Sequence, residues 1–437
     1  MHFSWMKALA LIPLAVAVGF GSIDAQVLPV NPAFAPSATA QSNEPGGNLT
    51  VYLLTFGWGD EVWERFGHNA IWIKDRTRGT DTTYNWGMFS FDEPHFLRRF
   101  LVGDTRYWMA AFDLDTMLAE YKRLNRSVLA QELNLTPAQR LKLLQFVQWN
   151  EQPQNKFYRY DYYRDNCSTR VRDALDHAVG GQLQTATVTR TTPSTYRSHT
   201  LRLLGDNLAL YTGANLALGH PADKPLSDWQ EMFLPVRMAN DLRTVRLTDS
   251  TGAQIPFVRS EMALFTAGRP PEPSAPPSYL PWFVAAGILV AAAMIALVRS
   301  AEGGNRLTLF LATAVATIWS LVAGAAGTAL VFAWLFTKHY FMSRNENLLH
   351  FDPLSLALVV LVPVSIYGLR GVSKALKLAG IVASLSLLGF VLQGIPLFSQ
   401  KNGEIIALAL PINLAVWWTV YRLALYKRTS LPSSAAL

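Results

Sequence analysis

Up to residue 278, apolar and polar residues alternate or recur at short spacing, whereas beyond it they segregate into long uncharged apolar runs. Leu49–Phe56, Ala70–Lys74 and Thr82–Met88 follow the two-residue period of half-buried strands, and Glu61–Phe66 has room for one helical turn. Leu114–Leu124 and Thr136–Trp149 read as helices, the second opened by Thr136-Pro137, an N-cap followed by proline at the first helical position. A further helix follows Asp165-Asn166-Cys167. Val171, Ala174, Leu175, Ala178 and Val179 keep helical spacing until Gly180-Gly181 stops it, and Asp165 and Asn166 are natural caps. The Thr-rich segment from there to Tyr196 reads as loop, and Leu201–Leu218 and Val236–Phe257 as ordered.

The apolar runs are Tyr279–Val298, Leu307–Thr337, Pro353–Leu369, Leu378–Gln400 and Ile405–Tyr421, each near the roughly 17–25 residues that cross a bilayer as a helix. The expected organisation is therefore a signal peptide or N-terminal anchor over 1–25, carried by Lys7 and Ala8–Gly19, and a Pro/Ala/Ser-rich stalk over 26–48. A folded domain follows over 49–268, with its core over 49–181. A proline-rich linker at 269–281 leads into a membrane unit over 279–425 and a cytoplasmic tail over 426–437. The net charge of +7 is largely topological. Arg299, Arg306, Arg370, Lys374, Lys377, Arg422, Lys427 and Arg428 fall on the inner side, against Lys338, Arg344 and Lys401 outside. No zinc-finger spacing or basic-aromatic ladder points to nucleic acid.

The exported half holds the chain's only cysteine, Cys167, at a predicted helix start. It has no disulfide partner within the chain, so it is either a small buried apolar residue or a thiol kept for chemistry. A thiol there feels the positive end of the helix dipole and unpaired N–H groups, which favour thiolate. Of the histidines, His68 begins an alternating strand directly after Gly67, which suits a base held on a sheet. His95, His177, His199 and His220 read as surface residues, and His177 lies about 15 Å along the helix from Cys167. Metallohydrolase, serine-hydrolase and phosphate-loop motifs are absent, and neither a metal nor a cofactor is expected.

Four blocks in order carry a family resemblance: Val51–Glu61, Phe66-Gly67-His68-Asn69-Ala70, Tyr84–Phe89 and Tyr160–Asp173. They resemble the Lnb-type periplasmic domain, a circularly permuted relative of papain-like thiol hydrolases. The run Arg344–Leu354 resembles the membrane half of the same family. The resemblance implies an α+β fold, a circularly permuted papain-like thiol domain followed by an all-α bundle of about five transmembrane helices. It implies lipoprotein N-acylation at the bacterial inner membrane, with Cys167 as nucleophile and His68 as base. The acyl donor would be a phospholipid and the acceptor the N-terminal amine of a diacylated lipoprotein, both presented by the bilayer.

A third residue usually orients such a histidine. Asn85 on the adjacent strand is the candidate, with Asn69 and Asp92 behind it; the alternative for Asn85 is a strand-edge amide. Asn166 is either an oxyanion donor or a plain cap. Arg170, more than Arg172, is placed to meet a lipid phosphate, or else pairs with a neighbouring aspartate. Asn345, Glu346 and Asn347 form either a substrate loop or an ordinary connector. Trp58, Trp63, Trp72, Trp86 and Trp108 are read as an apolar lip that excludes water, or as core. Rival functions are a membrane-tethered cysteine hydrolase acting on cell-wall peptide or lipoprotein, and a non-enzymatic scaffold.

Overall fold

In the computed structural model, residues 42–249, 251–368 and 370–430 are described. The expected signal segment 1–25, most of the stalk and the end of the tail lie outside them. Leu49–Phe56 (β1), His68–Asp75 (β2) and Thr80–Met88 (β3) form the middle of a seven-stranded antiparallel sheet. Arg106–Asp113 (β4), Val128–Leu133 (β5), Phe157–Arg159 (β6) and Val258–Phe265 (β9) complete it in the order β6-β4-β3-β2-β1-β5-β9. Arg246–Thr248 (β7) and Gln254–Pro256 (β8) make a separate hairpin. Glu61–Phe66 is a run of turns rather than helix.

Alternation along β1 and β2 divides the core between the two faces of the sheet. Val51, Leu53, Ile71 and Ile73 point into a cluster closed by helices α3 (Pro137–Glu151) and α4 (Cys167–Ala178). Tyr52, Leu54, Phe56, Ala70 and Trp72 point the other way, onto Tyr121 of α2 (Leu114–Arg123). A short exposed helix, α1 (Phe96–Leu101), lies between β3 and β4. Both α3 and α4 open with reciprocal capping boxes, Thr136 with Gln139 and Asn166 with Thr169. After α4 come α5 (Gln182–Thr187), inside the segment read as loop, then α6 (Tyr196–Leu203), α7 (Leu208–Ala217), α8 (Asp228–Glu231) and α9 (Pro235–Thr244).

The membrane half contains α10 (Leu280–Glu302), α11 (Arg306–Phe336), α12 (Ser355–Tyr367), α13 (Val372–Leu392) and α14 (Gly403–Ser430). Among the described residues four helices are long and apolar enough to cross a membrane, and α12, with 13 residues, is shorter. Small residues let these helices approach closely. A Cβ on Gly287 of α10 would lie 2.3 Å from the Ala407 carbonyl of α14, and one on Gly327 of α11 would lie 2.2 Å from the Phe351 carbonyl.

The two halves are joined by buried polar contacts. The Asn345 amide donates to the carbonyls of Leu216 and Ala217 at 2.8 and 2.9 Å, and the Asn347 amide to that of Leu216 at 2.9 Å. These carbonyls belong to the last turn of α7, where a helix has no internal donors left for them. Tyr211 and Asn215 of α7 both donate to Glu404 at the start of α14. Gly219 packs so closely on Ser343 that a Cβ would fall 2.0 Å from its carbonyl.

Candidate active site

Cys167 is the first residue of α4, and the cap in front of it is complete. Asn166 accepts from the Thr169 N–H at 2.9 Å, while its amide donates to the carbonyls of Tyr162 and Phe233, each at 2.9 Å. With both amide hydrogens engaged, Asn166 fixes the helix start and has none left for an oxyanion. The thiol is buried and faces the backbone N–H groups of Asn69, Cys167 and Ser168. Ser168 ties the helix to β2 through a 2.7 Å bond from its hydroxyl to the Asn69 side-chain Oδ1, and the Asn69 Nδ2 in turn donates to the Leu54 carbonyl and the Thr55 hydroxyl of β1. Asn69 thereby brings the start of α4 beside the start of β2, where His68 stands.

Two glycines make the approach possible. Gly67 has φ of +76° and its α-carbon faces the Phe56 carbonyl, where a Cβ would lie 2.8 Å away. Gly87, at φ +94° beside an irregularity in the β3–β4 pairing, packs on Cys167, so that a Cβ there would sit 3.3 Å from the cysteine Cβ. The cysteine occupies the space that a side chain on β3 would fill.

His68 and Asn85 share one face of the sheet, and the His68 Nε2 lies 3.1 Å from the Asn85 Oδ1. The Asn85 amide nitrogen donates to the Thr83 carbonyl at 3.1 Å, which turns its oxygen toward the histidine. Nε2 therefore carries the hydrogen in the neutral ring, and Nδ1 is left with its lone pair. Burial holds the imidazole down at about 4, partly opposed by the Asn85 bond and assisted by the nearby Arg126 charge. Burial also pushes the Cys167 thiol up, although the three N–H groups and Arg126 pull the other way. Desolvation thus outweighs the N–H groups that face the sulfur, and the resting pair at neutral pH is thiol and neutral imidazole.

The other expected residues fall elsewhere. Arg170 forms a two-pronged ion pair with Asp165 and lies 4.2 Å above the Tyr158 ring. Arg172 lies over Trp229 and donates to its carbonyl. Asp92 is exposed on a loop. Asn345 and Asn347 are buried in the joint between the halves, and Glu346 accepts there from the Gln393 amide and the Gln400 N–H. Trp72 stacks on Tyr52 and Trp86 bonds Asn150, both in the core, whereas Trp63 is exposed.

Arg126 and Tyr121 escape sequence reading, since neither lies in a motif. The buried Arg126 guanidinium donates to the Gly57 carbonyl, pairs with Glu64 at 3.3 Å and lies 4.8 Å from the Tyr121 ring centre. Tyr121 is parallel to His68, their centroids 6.5 Å apart. A separate groove of about 510 Å³, lined by Lys142, Asp176 and His177, lies at the far end of α4 from the thiol. No cluster of potential metal ligands occurs among the described residues. A thiol at the start of α4 and a neutral imidazole at the neighbouring start of β2 are the two groups that nucleophilic sulfur chemistry requires.

Residues 38–204 match the family model of the Lnb N-terminal periplasmic domain, and residues 277–422 match that of the Lnb transmembrane domain. No curated protein and no solved structure matches.

Proposed function

We propose, from the premise that this chain belongs to the Lnb family, that it moves an acyl chain from a membrane lipid, through a thioester on Cys167, to the N-terminal amine of a diacylglyceryl lipoprotein. The observation that carries this reading is the Asn85–His68 hydrogen bond beside a thiol at the capped start of α4. The chain is a multi-pass membrane protein with a periplasmic N-terminal domain. We assign it to the bacterial inner membrane and its periplasmic domain to the permuted papain-like fold. We also read α12 as a fifth crossing. The loop before it is tied to α7, Gln393 after α13 bonds back to Glu346 on the same side, and each long helix makes one pass, so the chain needs α12 to reach the inner side before α13.

The chemistry follows from the two neutral groups. As the sulfur attacks the ester carbonyl, its proton passes to the His68 Nδ1, and Asn85 steadies the resulting imidazolium from Nε2. The N–H groups that face the sulfur are the donors nearest the developing oxyanion. Collapse breaks the ester C–O bond, the imidazolium protonates the departing glycerol oxygen, and a lysolipid leaves. The lipoprotein α-amine then attacks the thioester and gives a proton to His68. The C–S bond breaks, an amide forms and the proton returns to sulfur. The kinetics are ping-pong.

The test uses full-length protein in lipid nanodiscs with a phospholipid isotopically labelled in both acyl chains and a diacylated lipopeptide. Mass spectrometry should find labelled acyl on Cys167 and labelled N-acyl lipopeptide, and Cys167→Ser and His68→Ala should each give no product. Wild-type protein that forms neither species overturns the reading. Labelled free fatty acid in place of the amide assigns a hydrolase, and unlabelled N-acyl product moves the donor role to the lipopeptide's own ester.

A further inference from the structure

The chain between β3 and β4 exposes a set of apolar side chains that the soluble fold leaves uncovered. Helix α1 buries none of its residues: Leu97 is 68% exposed, Leu101 56% and Phe100 38%, with Phe91 and Trp63 exposed beside them. An apolar patch of this kind on a folded domain marks a contact surface. Its position identifies what covers it.

The segment is fastened to the end of a membrane span. The Lys338 N–H donates to the Val102 carbonyl at 2.8 Å, the Lys338 ammonium bonds Asp104 at 2.6 Å, and a His339 ring nitrogen lies 3.0 Å from the Phe100 carbonyl. Gly103 makes room for this contact, since a Cβ would lie 3.1 Å from the His339 nitrogen. Lys338 is the first charged residue after Arg306, and the last turns of α11 still expose Phe332, Leu335 and Phe336. The hydrocarbon region thus reaches the end of α11, and α1 is held at its boundary. Arg98, also exposed on α1, suits the phosphate level of that boundary.

A continuous row of rings leads from this helix to the thiol. Phe100 stacks on Phe96, Phe96 on Phe89, Phe89 on Tyr107 at 5.1 Å and Tyr107 on Tyr160 at 4.3 Å. Tyr160 lies against Gly87, where Cys167 also packs. We infer that the Phe89–Leu101 segment is a lip seated in the outer leaflet, and that its rings, continued by Tyr107 and Tyr160, form the wall along which a lipid acyl chain passes from the bilayer to Cys167. Seating in the bilayer stands by itself; the route to the thiol rests on the transferase reading.

Single cysteines at Leu97, Leu101 and Arg78, each in the Cys167→Ser full-length protein and spin-labelled in nanodiscs, test the seating. Arg78 lies at the opposite end of β2 from His68. Labels at 97 and 101 should be reached by oxygen in preference to a water-soluble nickel complex, and the label at 78 the reverse. Aqueous behaviour at 97 and 101 overturns the lip. For the route, Leu97→Asp with Leu101→Asp should lower kcat/KM for nanodisc phospholipid at least about tenfold. Alkylation of Cys167 by iodoacetamide should stay within about twofold, showing an intact site. Unchanged lipid turnover overturns the route. Bilayer depth at 97 and 101 in a protein whose wild type transfers no acyl chain supports the lip and rejects the reaction instead.

Discussion

At the residue scale, the neutral thiol and imidazole set the pH behaviour. As the proposed base, His68 would act only while unprotonated, and burial keeps it so down to about pH 4. kcat/KM should therefore hold as pH falls through the usual histidine range and drop only near pH 4. Replacing Asn85 by aspartate puts an anion 3.1 Å from the ring nitrogen, which favours imidazolium. The acid limb of the Asn85→Asp profile should move upward by about one pH unit or more. An unmoved limb would detach Asn85 from His68. Because the thiol is pushed up, alkylation of the resting protein by iodoacetamide should be slow at pH 7 and should accelerate with rising pH. Gly87→Ala places a Cβ against the cysteine at a φ that disfavours side chains. It should cost about 1–3 kcal/mol in denaturant unfolding and most of the acyl-transfer rate.

At the element scale, the start of α4 is the part of the site most legible in sequence. Asn166, Cys167 and the double glycine define a helix by local rules that tertiary structure did not override. Asn166→Ala should lower stability by about 0.5–2 kcal/mol, read by chemical denaturation, and slow acylation by displacing the thiol. Acylation at the wild-type rate in that variant would separate the cap from the thiol's position. Strands β1 to β3 were legible because their alternation is strong. β4, β5 and β6 were not: β5, Val-Leu-Ala-Gln-Glu-Leu, is covered on both faces and buries Gln131 on the Ala239 carbonyl, so alternation disappears. The asparagines of the 345–347 turn read as an open loop because sequence cannot reveal that α7 offers them its terminal carbonyls. Of the tryptophans read as a lip, Trp63 lies exposed against Phe89 and Phe91 while Trp72 and Trp86 fill the core, since large rings suit cores as readily as edges, and the exposed phenylalanines and leucines of α1 have no legible pattern.

At the scale of the whole molecule, each half has its own main core, and the joint couples them through buried polar bonds and through Phe341, which packs on Tyr163 and Tyr196. Asn347 is fully buried, donates to the carbonyls of Asn215 and Leu216 and accepts from the Asn402 amide, so Asn347→Leu leaves that buried amide unpaired and takes one of two donors from each carbonyl. Thermal unfolding of that variant should separate into two transitions, with lipid turnover falling further than alkylation of Cys167 by a small soluble reagent. A single transition at the wild-type midpoint would mean that the halves do not depend on this contact. The same joint has a consequence for selectivity. With α7 clamped to the 345–347 turn and α1 clasped at Lys338, Cys167 is kept at one height above the membrane, and the domain works as a fixed gauge. On the proposed transferase reading, lipids would then be sorted by how far their ester bond lies below the headgroup surface, so that headgroup thickness would govern selection more than chain length does.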